Sequence, residues 1–417
     1  MFRHRINLTT ILLLSSIAIS AAPLVASAQD SNSGSDAKAV EIARRVMQSM
    51  GGAEAWDATR FIRFDFATTR DGEIVPIRSH WWDKHTGRHR VEGTTRETGE
   101  PWVVIQNLNS REGMAWQNGV PVPHEELEEP LQRAWGAWVN DTYWLLMPYK
   151  MLDPGVTLKY HGEEQIEGTT YDRLHLSFES VGLTPGDQYW AWINRETGLM
   201  DRWEYRLQGR DETTAWTWGP WKTYGSIKLA AERHTLDGER TLLLDNLAVL
   251  DSMPDEIFES LEAPKMTRVK VRAISRDAKV IGSKVGGAKI IVRDKESGAT
   301  LASGMQLGGT GDTNSIMADP WQRGDAIYDT EGAADFTATL WLTEPTVIEV
   351  SAEGPLGTPQ STQMVSKTLL IVPGLDVLGN GVLLEIHGFT VVFAAPENPS
   401  EFFVGDVIPV RILLTMT

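Results

Sequence analysis

Tryptophan is the residue that most constrains this chain: sixteen occur, and fourteen of them precede Glu262. An indole ring buries a large apolar area yet carries one N–H that needs a partner, so this density exceeds what a close-packed core ordinarily accommodates. Three arrangements are open: the rings interlock as a solid core, some of them line a space for an apolar ligand, or they form exposed platforms for sugar rings. Cysteine is absent, so no disulfide supports the fold and stability has to come from buried apolar surface.

Residues 1–28 read as a secretory signal, with Arg3 and Arg5 as the basic start, residues 11–19 as the apolar core and Ala26-Ser27-Ala28 as the small-residue site cleaved after Ala28. Residues 29–37 form a Ser/Gly/Asp linker of the kind that stays flexible. No Cys follows the cleavage site to take a lipid, and no later stretch reaches the roughly 18 apolar residues of a membrane span. The expectation is a periplasmic or secreted protein, not an integral membrane protein. The formal charge is −17 and no Lys/Arg-rich run follows the signal, which argues against nucleic acid and anionic membrane surfaces as partners.

Val40, Ala43, Val46, Met47 and Met50 fall at helical spacing, so a helix is expected from Asp36 to Met50, capped by Ser35 or Asp36 and stopped by Gly51-Gly52. A series of strands follows at 61–69, 74–84, 89–95, 102–108 and 111–117, broken by Asp71-Gly72, Thr86-Gly87, Thr98-Gly99 and Asn109-Ser110, with neighbours pairing antiparallel. A second helix interrupts them at 130–147, where Leu131, Ala134, Trp135, Trp138, Thr142 and Leu145 make one stripe between Pro130 and Pro148. Strands resume at 157–161, 173–179, 188–194, 200–207, 216–224, 228–235 and 241–249. Around Glu262 to Met266 the composition changes, and only Trp321 and Trp341 lie beyond it. We therefore expect one domain over 38–262, a linker at 263–266, and over 267–417 an antiparallel β-sandwich of immunoglobulin-like or transthyretin-like type.

The stretches Asn194-Arg195-Glu196-Thr197-Gly198-Leu199, Tyr224-Gly225-Ser226-Ile227-Lys228 and Asp251-Ser252-Met253-Pro254-Asp255 resemble the LolA-type outer-membrane lipoprotein-sorting superfamily over about 38–262. The stretches from Asn140 to Gly155 and from Val181 to Asp187 are similar to a branch of exported proteins without assigned activity. The resemblance implies a mainly β fold: a curved antiparallel sheet, an incomplete barrel closed by helices, whose apolar interior receives acyl chains.

The candidate ligand-binding residues are Trp135, Trp138 and Trp144 on the helix, covering the mouth of the sheet, and Trp82, Trp102, Trp116, Trp190 and Trp192 on strands. His80, His85 and His89 are close in sequence but span a turn, so they are read as a solvated hairpin and not as a metal site. The Glu125-Glu126 and Glu128-Glu129 run precedes a helix, where negative charge is favourable. Asp153, Asp172 and Asp187 adjoin turns that explain them without catalysis. No phosphate-binding glycine loop or nucleophile elbow occurs, and no cofactor is expected. The leading expectation is a non-enzymatic protein that binds or carries a lipid or other hydrophobic molecule. The alternatives are a structural or adhesive envelope protein whose sandwich docks a partner, and a carbohydrate-binding or carbohydrate-acting protein.

Overall fold

The computed structural model describes residues 34–70, 73–74, 77–178, 186–276, 279–357, 359–386, 389–395 and 402–416. The expected signal, the Asp71-Gly72 turn and most of the stretch from Val181 to Asp187 lie outside them. The fold is mainly β, with a curved sheet that does not close into a barrel. It divides into two compact units that alternate along the chain: one takes residues up to Thr59, Phe64–Ile77 and Trp135–Ala248, the other Arg60–Arg63, Arg78–Ala134 and Val249–Thr417. The junction expected at 263–266 lies inside the second unit, where the strand Lys265–Ser275 begins.

In the first unit, helix α1 (Ala37–Ser49) buries Ala39, Ile42, Ala43 and Val46. Asp36 stands at its N-cap but makes no cap hydrogen bond; its carboxylate instead accepts from the Tyr160 N–H and the Lys159 ammonium, both at 3.0 Å. The residue expected to cap the helix therefore ties it to the strand Val156–Ile166. Gly51 ends the helix at φ 121°, and a Cβ there would stand 2.5 Å from the Ser226 carbonyl oxygen, so only glycine fits. The short helix α2 (Ala53–Ala58) follows. Five antiparallel strands form one sheet in the order Thr213–Thr217, Met200–Arg206, Gln188–Asn194, Thr169–Phe178 and Val156–Ile166. The strand expected over 216–224 is two strands, Thr213–Thr217 and Trp221–Tyr224, because Gly219-Pro220 falls between them and proline offers no N–H to a ladder.

Helix α3 (Glu128–Leu146) contributes Trp135 onward to this unit. The fully buried Arg233 reaches its C-terminal end: Nη2 donates to the Trp144 carbonyl at 3.0 Å, while Nη1 donates to the carbonyls of Ala230 and Glu232 at 3.0 Å each. A cation is favourable at a helix C-terminus, and the guanidinium also lies 3.7 Å from the centre of the Trp218 ring.

In the second unit, the strands Arg78–Asp83, Arg88–Thr94, Pro101–Asn107 and Gly113–Gln117 form an antiparallel meander. Asp83 is buried in its first turn and accepts from Arg60 and Arg88 at 3.1 Å. Burial alone would raise this carboxyl, but the hydrogen bonds from Arg60, Thr86 and Arg88 outweigh it and hold it at about 2. The buried Arg90 donates to the carbonyls of Ser260 and Leu261 at 2.7 and 2.9 Å and so fastens the segment after the 3-10 helix Asp255–Phe258. Farther along, Phe336–Leu342, Lys265–Ser275 and Val377–Ile386 make one sheet of a sandwich, and Thr300–Gln306, Ala288–Asp294, Thr346–Gly354 and Gln363–Ile371 make the other. Val269, Val271, Ile290, Val292, Leu340 and Val350 fill its core. The expected all-antiparallel pairing needs one correction, since Lys265–Ser275 and Val377–Ile386 run parallel.

The histidine hairpin is also corrected. His80 and His89 are fully buried, not solvated, with His80 Nδ1 3.0 Å from His89 Nε2 and His89 Nδ1 3.2 Å from Gln106 Nε2. His89 is paired with Trp82 across the strands, so the period of two puts it on the face of His80, toward the interior. Burial, and then the neighbouring His80, press the His89 imidazole well below its ordinary 6.5. The unfolded chain therefore binds a proton that the folded one refuses, and stability is full above pH 6.5 and lost as pH falls below it. Urea unfolding is expected to show stability falling as pH drops below 6.5, by no more than about 1.4 kcal/mol per pH unit for this group. His89→Gln is expected to remove that part of the slope, and an unchanged slope in the variant contradicts it. Arg233→Ala removes a fully buried side chain and the donor it offers to the Ala230, Glu232 and Trp144 carbonyls, and is expected to cost about 3 kcal/mol, read from the shift in urea midpoint.

Candidate functional site

The tryptophans of the first unit occupy several environments, of which two include residues of α3. One is a solid aromatic cluster centred on Trp203, which is 2% exposed. Its ring centre stands 4.5 Å from Trp144, 5.3 Å from Tyr189, 5.4 Å from Trp218, 5.6 Å from Tyr205 and 6.1 Å from Tyr143. Trp216 joins it through Trp144 at 5.1 Å. The Trp144–Trp203, Trp144–Trp216 and Trp203–Trp218 pairs are near perpendicular, at 72°, 73° and 75°. The Nε1 atoms of Trp203, Trp216 and Trp218 are buried with no nitrogen or oxygen partner among the described residues. Perpendicular packing sets positive ring edges against negative ring faces, which offsets part of that cost.

The other environment is a pocket of about 320 Å3 beside the same helix. Trp135, Trp138, Val139, Thr142 and Tyr143 line it from α3, and their positions, three, four, seven and eight residues on from the first, are those of one helix face. Pro154, Val156 and Phe178 line it from the neighbouring loop and strands. Its ionisable rim is Lys150 and Asp153, whose Nζ and Oδ2 atoms are 3.5 Å apart. Burial lifts the Asp153 carboxyl above its ordinary value, against the pull of Lys150. Burial likewise raises the Tyr143 phenol well above its ordinary value, so it stays protonated. The Thr142 hydroxyl is turned back to the Trp138 carbonyl at 2.6 Å, which leaves its methyl group as the apolar contribution.

The eight tryptophans expected to bind ligand therefore have different places. Trp135 and Trp138 meet in this pocket, whereas Trp144 belongs to the Trp203 cluster. Trp190 and Trp192 lie on the sheet face opposite Tyr189 and Ala191, as the period of two requires. There Trp192 is held between the guanidiniums of Arg173 and Arg202, 4.7 and 4.6 Å from its ring centre, with Nε1 donating to Glu164 at 2.8 Å. Trp190 stands 5.2 Å from His175. In the second unit Trp82 is buried, Trp102 packs against Val91 and Val104, and Trp116 packs against Phe61 and Ile105. Asp172 and Asp187 are spent on structure, accepting from Arg45 at 2.7 Å and from the Gln208 N–H at 2.7 Å. Among the described residues no group of three or more His, Cys, Asp or Glu is placed to hold a metal ion, and no helix is long and apolar enough to cross a membrane.

A clean consequence separates the two environments. Trp203→Ala is expected to cost about 3–5 kcal/mol as a cavity in a packed core, and Trp135→Ala less than about 1 kcal/mol. Urea denaturation of the two variants measures this, and equal costs contradict it.

The chain matches no family profile and no curated protein sequence. It is similar to several solved structures over about half its length. A DUF1329 family protein from Desulfovibrio piger is 10% identical over 53% of this chain and 96% of its own, with a TM-score of 0.34. A LolA superfamily protein from Nitrosomonas europaea is 13% identical over 53% of this chain and 96% of its own, with a TM-score of 0.35. The Mycobacterium tuberculosis lipoprotein LppX is 12% identical over 52% of this chain and 98% of its own, with a TM-score of 0.24.

Proposed function

We propose that this protein binds a hydrophobic ligand, the apolar chain of a lipid, in the pocket beside α3, and that it acts as a binding protein without catalysis. On this reading residues 1–28 direct export, and the mature chain works in the periplasm or outside the cell. The observation that carries the reading is the pocket itself: about 320 Å3 of space faced by two indoles, a phenol, a phenyl ring and aliphatic side chains. Apolar residues pack against one another wherever the backbone allows, so an apolar hollow left open on one helix face has the size and lining of a ligand site. Each methylene buried there contributes about 0.8 kcal/mol, so a chain of about ten carbons supplies roughly 8 kcal/mol before ordering costs. That places affinity for a single chain at micromolar to some hundred micromolar.

Native mass spectrometry of protein purified from a cell envelope is expected to show a co-purifying lipid, and the delipidated protein is expected to take up a fluorescent fatty acid. Protein that is consistently empty, together with no uptake, contradicts the proposal.

A further inference from the structure

The pocket's rim carries information about the head group of what enters it, on the premise that the pocket binds an apolar chain as proposed above. Among the described residues that line it, two carry side chains ionisable in the ordinary range, Lys150 and Asp153, and they have opposite charge. The backbone fixes them at one rim. Lys150 ends the 3-10 helix Met147–Lys150, the Asp153 N–H donates to the Lys150 carbonyl at 3.1 Å, and the Val156 N–H donates to the Asp153 carbonyl at 3.2 Å. Lys150 and Asp153 are 29% and 49% exposed in their side chains, so both reach solvent and the pocket mouth together. Their mutual contact is loose: 3.5 Å separates Nζ from Oδ2, whereas a firm charged hydrogen bond closes to about 2.7–2.9 Å. A partly exposed pair held this loosely is worth little, so exchanging its partner for a ligand group costs little.

The charges discriminate among single-chain amphiphiles. A carboxylate head drawn to Lys150 would sit beside the Asp153 carboxylate, and an ammonium head drawn to Asp153 would sit beside the Lys150 ammonium. Each monopole gains one attraction and meets one repulsion. A head that carries both charges satisfies both side chains at once. We propose that the pocket takes a single-chain amphiphile with a zwitterionic head, its anionic group on the Lys150 ammonium, its cationic group beside the Asp153 carboxylate, and its chain among Trp135, Trp138, Val139 and Phe178.

Three probes with the same chain test this: dodecylphosphocholine, dodecanoate and dodecylammonium, each titrated below its micelle concentration into the full-length mature protein while tryptophan fluorescence is followed. In the wild-type protein dodecylphosphocholine is expected to bind about two- to fivefold more tightly than either monopolar probe. Lys150→Met is expected to remove that advantage and move the order toward dodecylammonium. Asp153→Asn is expected to do the reverse and move it toward dodecanoate, with urea midpoints verifying that both variants are folded. Binding of all three probes with equal affinity, or an order that neither variant changes, overturns the head-group inference while leaving the pocket as an apolar-chain site. Binding of none of them overturns both.

Discussion

The first unit depends on one packing problem, how to seat the helix α3 on a sheet when both surfaces carry large aromatic rings. Trp203 is the solution: it lies under Trp144 and Tyr143 of the helix and beside Tyr189, Tyr205 and Trp218 of the strands and loop. Edge-to-face geometry lets these rings interlock, and each ring brings a large buried apolar area that a cysteine-free chain needs for stability. The same rigidity sets a limit. Rings held by perpendicular neighbours are costly to shift toward the pocket farther up the helix, which Trp135, Trp138, Val156 and Phe178 line. A packed core and an open hollow are thus two consequences of one helix lying on one sheet.

Buried polar groups do a different job. Asp83 fixes a tight turn through two arginines and backbone N–H groups, and Arg90 and Arg233 each gather several carbonyl oxygens that would otherwise be stranded. Such groups are expensive to bury and costly to mutate, so they specify where segments distant in sequence are joined. None of the three is among the described residues that line the pocket. The electrostatics of the interior hold the fold, while those of the pocket are confined to the Lys150 and Asp153 rim.

Much of this was legible in the sequence where local rules act alone. The stripe of Leu131, Ala134, Trp135 and Trp138 marks α3, although the helix starts at Glu128, two residues before Pro130, and the strand Gln188–Asn194 begins and ends where its alternation does. Trp190 and Trp192 share a face as their spacing requires, but spacing does not say which face meets the helix. The same ambiguity hid His80 and His89, whose alternation fits a solvated face and a buried one equally well. Thr300–Gln306 carries little apolar patterning because it is an edge strand with most side chains exposed. Half of the pocket could be read from α3, where positions 135, 138, 139 and 142 repeat at helical spacing. Its other half could not: Phe178 joins Lys150, Asp153 and Val156 only through the strand pairing of Val156 with Phe178, and no local spacing rule encodes that.

The central claim is that Trp135 and Trp138 face a ligand while the other indoles of the first unit hold the structure. Fluorine NMR of protein labelled with 5-fluorotryptophan, recorded during titration with dodecylphosphocholine, separates these roles ring by ring. The signals of Trp135 and Trp138 are predicted to move with occupancy while those of Trp203, Trp216 and Trp218 stay in place. Movement confined to Trp190 and Trp192 on the opposite sheet face, or no movement at any tryptophan, would contradict the assignment of the pocket.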